Sequence, residues 1–351
     1  MSGSDRSART LPGRMKALRF TRHGDPGVLS WDEVPVPVPD AGELLLEIRA
    51  FAVNWADILE RVGRYPGAPQ PPYVTGHDLA GTVVARGPGT AGPPEGTRMF
   101  GVIPRAGAAA EFAAVPASQV YPVPGCLSDE QAAGAAGPYL TADVAITMFG
   151  RLEKGDDVLV HAAAGAYGSA ALQLCRAYGA GRIIATAGSA EKVARLREWG
   201  ADFAVNYTEE DFAEVVQAAT DGRGVDLVLE SVGGDVLGRS LDCLRPAGRL
   251  VSVGASSGHS SNRFRLHTLF ERGISVSGFT LGAWLDRHPD LVAPSVTRVL
   301  GLFERGLAVP QVGRVFQAGD VRAAHESVEN RRSIGRTVVT MQQRSLEARQ
   351  P

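Results

Sequence analysis

DVLVHAAAGAYGSAALQLCRAYGA, residues 157–180, decides how this 351-residue chain folds. It opens on Val158-Leu159-Val160, a short apolar run rich in β-branched residues, which suits a buried strand. A turn of small residues follows from Ala162 to Gly168. Ala171, Leu172, Leu174, Cys175 and Tyr178 then recur at helical spacing, and Gly179 stands where a helix C-cap wants glycine. Strand, turn and helix are the opening of a dinucleotide-binding βαβ unit. Small side chains let the backbone approach a pyrophosphate, and the helix N-terminus turns its free N–H groups toward it. The spacing here is Ala162-x-x-Gly165-x-x-Gly168 rather than G-x-G-x-x-G. Such turns also serve plain helix–strand packing, so the rest of the chain has to decide.

Outward from this stretch, strands alternate with helical patterns. Arg182–Thr186 reads as a second strand, Ala190–Trp199 as a helix, and Asp202–Asn206 as a third strand. Asp226–Glu230, Gly248–Gly254 and Ile274–Gly278 read as the fourth, fifth and sixth. The alternation predicts an α/β, doubly wound parallel sheet.

The residues before it are β-rich. Lys16–Phe20, Leu44–Ile48 and Leu79–Ala85 read as strands, with Pro35, Pro37 and Pro39 marking an edge segment or irregular loop. Asn54–Val62 has helical spacing, with Trp55, Ile58 and Leu59 on one side. Ser128 can cap a short helix, and Thr141–Met148 starts a helical connection into the nucleotide domain. Leu291–Phe303 is amphipathic, and Thr337–Thr340 reads as a late strand that returns to the first domain.

The length suggests about two domains. The formal charge of −2 gives no electrostatic footprint for nucleic acid. Cys126, Cys175 and Cys243 lack pairing spacing and read as buried thiols in a reducing, cytoplasmic compartment. No apolar run follows the polar first residues, so no secretory signal is expected. The nearly uncharged run Val158–Cys175 mimics a membrane span, but His161, Gly165 and Gly168 interrupt it and the strand-turn-helix reading accounts for it. No membrane partner is expected.

Several motifs, in this order, carry a resemblance: Met15-Lys16-Ala17; Val53-Asn54 with Asp57; Pro72-Tyr73-Val74-Thr75-Gly76-His77-Asp78-Leu79-Ala80-Gly81; Leu140-Thr141-Ala142; the Ala162–Gly168 turn; and Gly335-Arg336-Thr337-Val338-Val339. The chain resembles the zinc-independent, zeta-crystallin-like quinone oxidoreductases of the medium-chain dehydrogenase/reductase superfamily, over roughly residues 15–342. The resemblance implies a GroES-like β domain (15–135 and 309–343) and a Rossmann domain (136–308), with an arm at 1–14, read as disordered, and a polar tail at 344–351. It implies a cleft between the domains and NADPH-dependent hydride transfer to a quinone or an α,β-unsaturated carbonyl, with an enoyl thioester as the alternative. An NADPH-binding protein without turnover is the rival of another class. Relatives commonly form dimers through the sixth strand, so a homodimer is expected.

The type of cofactor can be argued from charge. An NAD site places an acid about 20 residues past the turn for the ribose 2′-OH. Here the second strand ends Ala187-Gly188-Ser189, without one. Ser189 and Lys192 offer a hydroxyl and an ammonium to a 2′-phosphate; alternatively, Ser189 is a helix cap and Lys192 a solvated cation. The resemblance adds Tyr207 to that phosphate. It also puts the cofactor on Ala164, Gly165, Ala166, Tyr167, Gly168 and Gly188, with Val232, Gly254 and Phe279 flanking the nicotinamide. Arg336 stands where many relatives have a lysine near the cofactor.

Related alcohol dehydrogenases bind catalytic zinc through Cys, His and Cys. Here His77 remains, but Asn54 and Gly137 stand at or near the cysteine positions. One histidine does not make a zinc site, and no metal is expected. Asn54 and Thr141 match positions near the nicotinamide; Asp57, Arg61 and Tyr65 match polar positions in the cleft. Asp57 and Arg61 could equally be an i,i+4 ion pair. Leu59 replaces a tyrosine of some relatives, and Tyr139 replaces a small residue as proton donor or steric wall. Gly254-Ala255-Ser256-Ser257-Gly258 fits G-x-S-x-G, but its place after a nucleotide-fold strand favours a loop over the cofactor to a hydrolase elbow.

Overall fold

Met15, Ala17, Leu18 and Phe20 are buried along the first strand, β1 (Arg14–Phe20), in a computed structural model that describes residues 11–258 and 266–342. Arg14, assigned above to the arm, already belongs to this strand; residues 1–10 lie outside the described residues. The proline-marked stretch supplies β2 (Ser30–Pro35), an edge strand antiparallel to β1. Then come β3 (Glu43–Val53), helix α1 (Trp55–Arg61), β4 (Tyr73–Val74), β5 (Asp78–Arg86), β6 (Arg98–Val102), β7 (Phe112–Pro116) and β8 (Val120–Pro122). Ser128 caps α2 (Asp129–Ala133), accepting the Gln131 backbone N–H, and α3 (Ala136–Val144) leads into the second half.

That half runs β9 (Val158–Val160), α4 (Ala166–Ala177), β10 (Ile183–Ala187), α5 (Ala190–Glu198), β11 (Phe203–Asn206), α6 (Phe212–Ala219), β12 (Val225–Glu230), α7 (Gly234–Asp242), β13 (Leu244–Ser252), α8 (Leu266–Arg272) and β14 (Ser275–Gly278). The six strands are all parallel, in the order β11-β10-β9-β12-β13-β14. This is the doubly wound order, with its crevice beside β9. Val158, Leu159 and Val160 are wholly buried because helices cover both faces. Each such side chain stabilises the fold by about 1.5–3 kcal/mol relative to exposure.

Finally α9 (Leu281–Arg287), α10 (Pro289–Glu304), β15 (Val312–Gln317), α11 (Val321–Glu329) and β16 (Arg336–Thr340) bring the chain back. β16 pairs antiparallel with β3, Thr337 opposite Val53, so the late strand does join the first domain. The sheet there is ordered β15-β16-β3-β5-β6-β8, with β7 also on β3.

At the N-terminal ends of the parallel strands, buried Asp157 meets Arg182 and Arg223, and buried Asp226 meets Arg223 and Arg245. Burial pushes both carboxyls up, but the guanidinium hydrogen bonds outweigh it and hold them below their usual range. This network ties the sheet together at the end away from the crevice. No helix among the described residues is long and apolar enough to cross a membrane.

Candidate active site

The glycine turn joins β9 to α4 as its sequence implies. Ala162 takes the left-handed conformation (φ +49°), Gly165 is the N-cap, and no side chain caps α4. Among the described residues its first backbone N–H groups are therefore left for an anion. Gly168 is required by packing: a Cβ there would lie 2.4 Å from Ala163 Cα and 2.5 Å from Ala162 O. Gly188, at the end of β10, leaves room for the Tyr207 ring, whose hydroxyl would be 2.4 Å from a Cβ.

Ser189 caps α5, accepting the Lys192 N–H at 3.3 Å. The Lys192 ammonium donates to the Arg331 carbonyl at 2.6 Å. Burial, and secondarily Arg331, lower its pKa. Arg331 lies between α11 and β16, and the sequence reading did not pick it out. Nothing in its local pattern marks it; only the return of β16 brings it here. Gly335, from the same connection, donates its N–H to the Ala164 carbonyl at 2.7 Å.

Beyond β12, the buried Glu230 carboxylate accepts N–H groups of Val232 at 2.6 Å and Gly233 at 2.7 Å. Burial raises its pKa. The 254–258 turn rests on that loop through Ser256 N–H to Ser231 O and Ser257 N–H to Val232 O, both 2.9 Å. No helix starts at Ser256, so the hydrolase elbow is not formed. Ala164–Gly168, Gly188–Lys192, Tyr207, Val232 and Gly254 thus all lie beyond the C-terminal ends of parallel strands.

Four elements of the first domain and α3 converge nearby. Asn54 ends β3 and precedes α1; its N–H donates to Asp57 Oδ2 at 2.7 Å. Arg336 opens β16. Its Nη1 donates to Asn54 Oδ1 and its Nη2 to Asp78 Oδ2, both at 2.9 Å. Asp78 Oδ1 accepts the Gly137 N–H at 2.7 Å. The Thr141 hydroxyl donates to Gly137 O at 2.6 Å. Half-buried Asn54 and Thr141 therefore share one small region, as expected.

Other residues singled out above have partners that the sequence does not show. Arg336 is 2% exposed, and its guanidinium is taken up by Asp78 and Asn54. Tyr139 is buried edge-on against Phe303, and its hydroxyl accepts from Gln173 at 3.0 Å. Burial pushes that phenol far up, and the ring fills the space between α3, α4 and α10. The Phe279 ring is stacked on Phe149, its centroid 5.0 Å away, in an apolar cluster with Trp284. Asp57 and Arg61 do not pair: wholly buried Arg61 goes to Glu329 at 2.7 Å and to Gly24 O.

Asp57 lies instead beside Glu60 and His77, three buried groups whose ligand atoms fall within 4.8 Å of one another. Glu60 escaped the sequence reading, although its place three residues after Asp57 puts the two on one helix face. His77 donates from Nδ1 to Ile103 O at 2.8 Å and from Nε2 to Glu60 Oε1 at 2.9 Å. Burial lowers its pKa, but the Glu60 bond and the charges of Asp57 and Glu60 outweigh it and hold the ring at about 9. Burial raises Asp57 to about 6, and one of its oxygens, Oδ1, is buried without a partner among the described residues. Tyr65, half-buried, is raised by burial and by the same two carboxylates.

Both raised pKa values have one sign of linkage. Stability from protonated His77 is full below the unfolded value near 6.5 and fades as pH rises through about 9; that from neutral Asp57 fades from 3.8 through about 6. The melting temperature is therefore expected to fall from about pH 7 to 10, and Glu60→Gln to flatten that slope. A wild-type melting temperature constant over that range would refute the charged pair.

The donor set does not fit catalytic zinc. Asn54 and Gly137 offer no thiolate, the His77 Nε2 is committed to Glu60, and a guanidinium sits between Asn54 and Asp78.

Residues 166–295 match the family model described as zinc-binding dehydrogenase, and residues 40–125 match the alcohol dehydrogenase GroES-like domain. The chain is 32% identical to a 2-haloacrylate reductase of Burkholderia, over 92% of this chain and 97% of that one. It is 32% identical to a quinone oxidoreductase of Pseudomonas aeruginosa, over 92% and 99%. The Escherichia coli quinone oxidoreductase solved with NADPH superposes with a TM-score of 0.85 at 29% identity, covering 93% of this chain and 99% of that one. Fold, turn, returning strand and relatives agree: the chain is an oxidoreductase of the medium-chain dehydrogenase/reductase superfamily and belongs to its zinc-independent quinone-oxidoreductase branch.

Proposed function

We propose that this protein reduces a quinone or an alkene activated by a neighbouring carbonyl, using NADPH. The observation that carries the reading is the acid-free end of β10, where Ser189, Lys192 and Tyr207 gather with Arg331, above an uncapped α4 N-terminus. A dinucleotide fits this cradle: the α4 amides would meet its pyrophosphate, and Lys192 its 2′-phosphate. A reduced nicotinamide, when bound, supplies a hydride. The chain's own residues orient the substrate and stabilise the charge that develops. Without a Lewis acid, an activated C=C or a quinone is an easier acceptor than a simple ketone.

Two relatives, named for reducing a haloacrylate and a quinone, favour the same acceptors. An enoyl thioester is the second substrate class, and the absence of turnover is the rival outcome. The test is NADPH depletion, followed by absorbance, against a panel of quinones, enones and enoyl thioesters. Stoichiometric NADPH binding with no oxidation across the panel would defeat the proposal.

A homodimer joined at β14 belongs to the same reading. β14 is an edge strand of the six-stranded sheet, and Leu266 and Phe270 of the adjoining α8 are 69% and 65% exposed. An open parallel edge beside apolar side chains invites a second copy. Light scattering at micromolar concentration should give twice the chain mass, and Val276→Pro should give monomers. A wild-type monomer, or a dimer indifferent to Val276→Pro, would exclude this interface.

A further inference from the structure

We propose that Arg336 aims the Asn54 carboxamide, leaving its NH2 group open to the cleft as the hydrogen-bond donor for the substrate's carbonyl oxygen. The inference rests on the reductase reading above. An amide can present either end, and what fixes it is the partner on the other side. Arg336 Nη1 holds Asn54 Oδ1 at 2.9 Å. A guanidinium has five donors and no acceptor, so the amide oxygen must face it and the Nδ2 must face away.

Arg336 is itself immobilised. It is 2% exposed and held by Asp78 at 2.9 Å, while the other oxygen of Asp78 is occupied by the Gly137 N–H at 2.7 Å. The Asn54 backbone is fixed as well, its N–H bonded to Asp57. Asn54 is half-buried, and its Nδ2 finds no acceptor among the described residues. The donor end is the one left unmatched, in the region that the chain of bonds from Arg336 through Asp78 and Gly137 joins to Thr141.

The chemistry needs such a donor. Hydride, with its two electrons, adds to the β-carbon of an enone, forming a C–H bond. The π bond breaks and its electrons shift through the α-carbon, so that negative charge reaches the carbonyl oxygen as an enolate. The α-carbon then takes a proton from water. For a quinone, charge reaches the ring oxygen in the same way. A preorganised N–H at that oxygen stabilises the charge as it develops; removing one such donor typically costs about 100- to 1,000-fold in kcat.

Asn54→Asp separates this role from a structural one. The carboxylate has the same shape, keeps an acceptor for Arg336 and suits the N-cap; the donor is lost and a negative charge takes its place. We expect kcat to fall about 100- to 1,000-fold, with NADPH affinity within about twofold and the melting temperature no lower than wild type. Asn54→Ala, which adds no charge, should lose kcat comparably. In the absence of cofactor, both variants should bind 4-nitrophenolate, an enolate mimic, at least about tenfold more weakly by its absorbance shift. Acid should partly rescue Asn54→Asp, because the protonated group regains an O–H donor, and should not rescue Asn54→Ala. Arg336→Met offers the Asn54 oxygen no donor, so the amide is free to flip, and kcat should fall about tenfold at unchanged NADPH affinity; Arg336→Lys, whose ammonium only donates, should restore most of it. Wild-type kcat in Asn54→Asp, or a parallel loss of NADPH affinity, would overturn the assignment while leaving the reductase reading intact. A wild type that reduces nothing on the panel would overturn both.

Discussion

Lys192→Ala combined with Arg331→Ala is expected to weaken NADPH about 100- to 1,000-fold and to leave NADH nearly unchanged. The two residues touch, the Lys192 ammonium on the Arg331 carbonyl at 2.6 Å. They come from opposite domains, α5 and the connection after α11. A phosphate between them would meet an ammonium, a guanidinium, the Ser189 hydroxyl and the Tyr207 phenol. A charge-assisted hydrogen bond contributes about 1.5–3 kcal/mol, so Lys192→Ala alone should lower NADPH affinity about 10- to 100-fold. Two cations on one phosphate are coupled, so the double variant should fall short of the product of the singles. Ser189→Ala should do less, with the same selectivity. The loss should shrink at high salt, since Lys192 is only half-buried. Fluorescence titration with both cofactors measures all of this. Equal losses for NADPH and NADH would make Lys192 a structural residue, and a wild-type preference for NADH would end the assignment.

Gly168→Ala should act on both cofactors alike. Its Cβ would meet backbone, Ala163 Cα at 2.4 Å and Ala162 O at 2.5 Å, where no rotamer can give way. The α4 N-terminus must part from the turn, at a cost of about 1–3 kcal/mol or more in stability. Its amides then move off the phosphate line, and affinity for NADPH and NADH should drop together by at least about tenfold. Gly165→Ala should disturb the fold less. Its Cβ comes only to 3.3 Å of Ala162 O, and its φ of −84° suits alanine. Near-normal binding by Gly168→Ala would show that the turn does not carry the pyrophosphate.

The nucleotide half was legible because its signals are local. All six parallel strands were found in order, within a few residues, from short apolar runs and the helices between them. β2 was harder to see because Pro35, Pro37 and Pro39 mask it, and β6, β7 and β8 were missed as short strands in a glycine- and proline-rich region. The site was legible as a set of positions rather than as a set of bonds. Asn54 and Thr141 are joined only through a chain of bonds by way of Gly137, Asp78 and Arg336, and Arg336 turned inward because a carboxylate 258 residues earlier, Asp78, was there to hold it. Arg61 left its helix neighbour Asp57 for Glu329, 268 residues on, because α11 packs against α1. Tyr139 and Phe279 went to apolar partners that no local pattern names. Side-chain partners of this kind depend on which elements the finished fold stacks together, and periodicity carries no information about that.

The pairing of β16 with β3 also sets an order of assembly on the ribosome. The nucleotide sheet is one unbroken stretch of chain, and it can close as soon as β14 has emerged. The first domain cannot, because the partner of Ala50–Val53 on one side is Thr337–Thr340. At roughly 5–20 residues per second, synthesis leaves that side of β3 open for roughly fifteen seconds to a minute. During that interval the apolar run Phe51-Ala52-Val53 is a nascent edge, with β5 to pair on one side and nothing on the other, and the second domain to be made is the first to be finished.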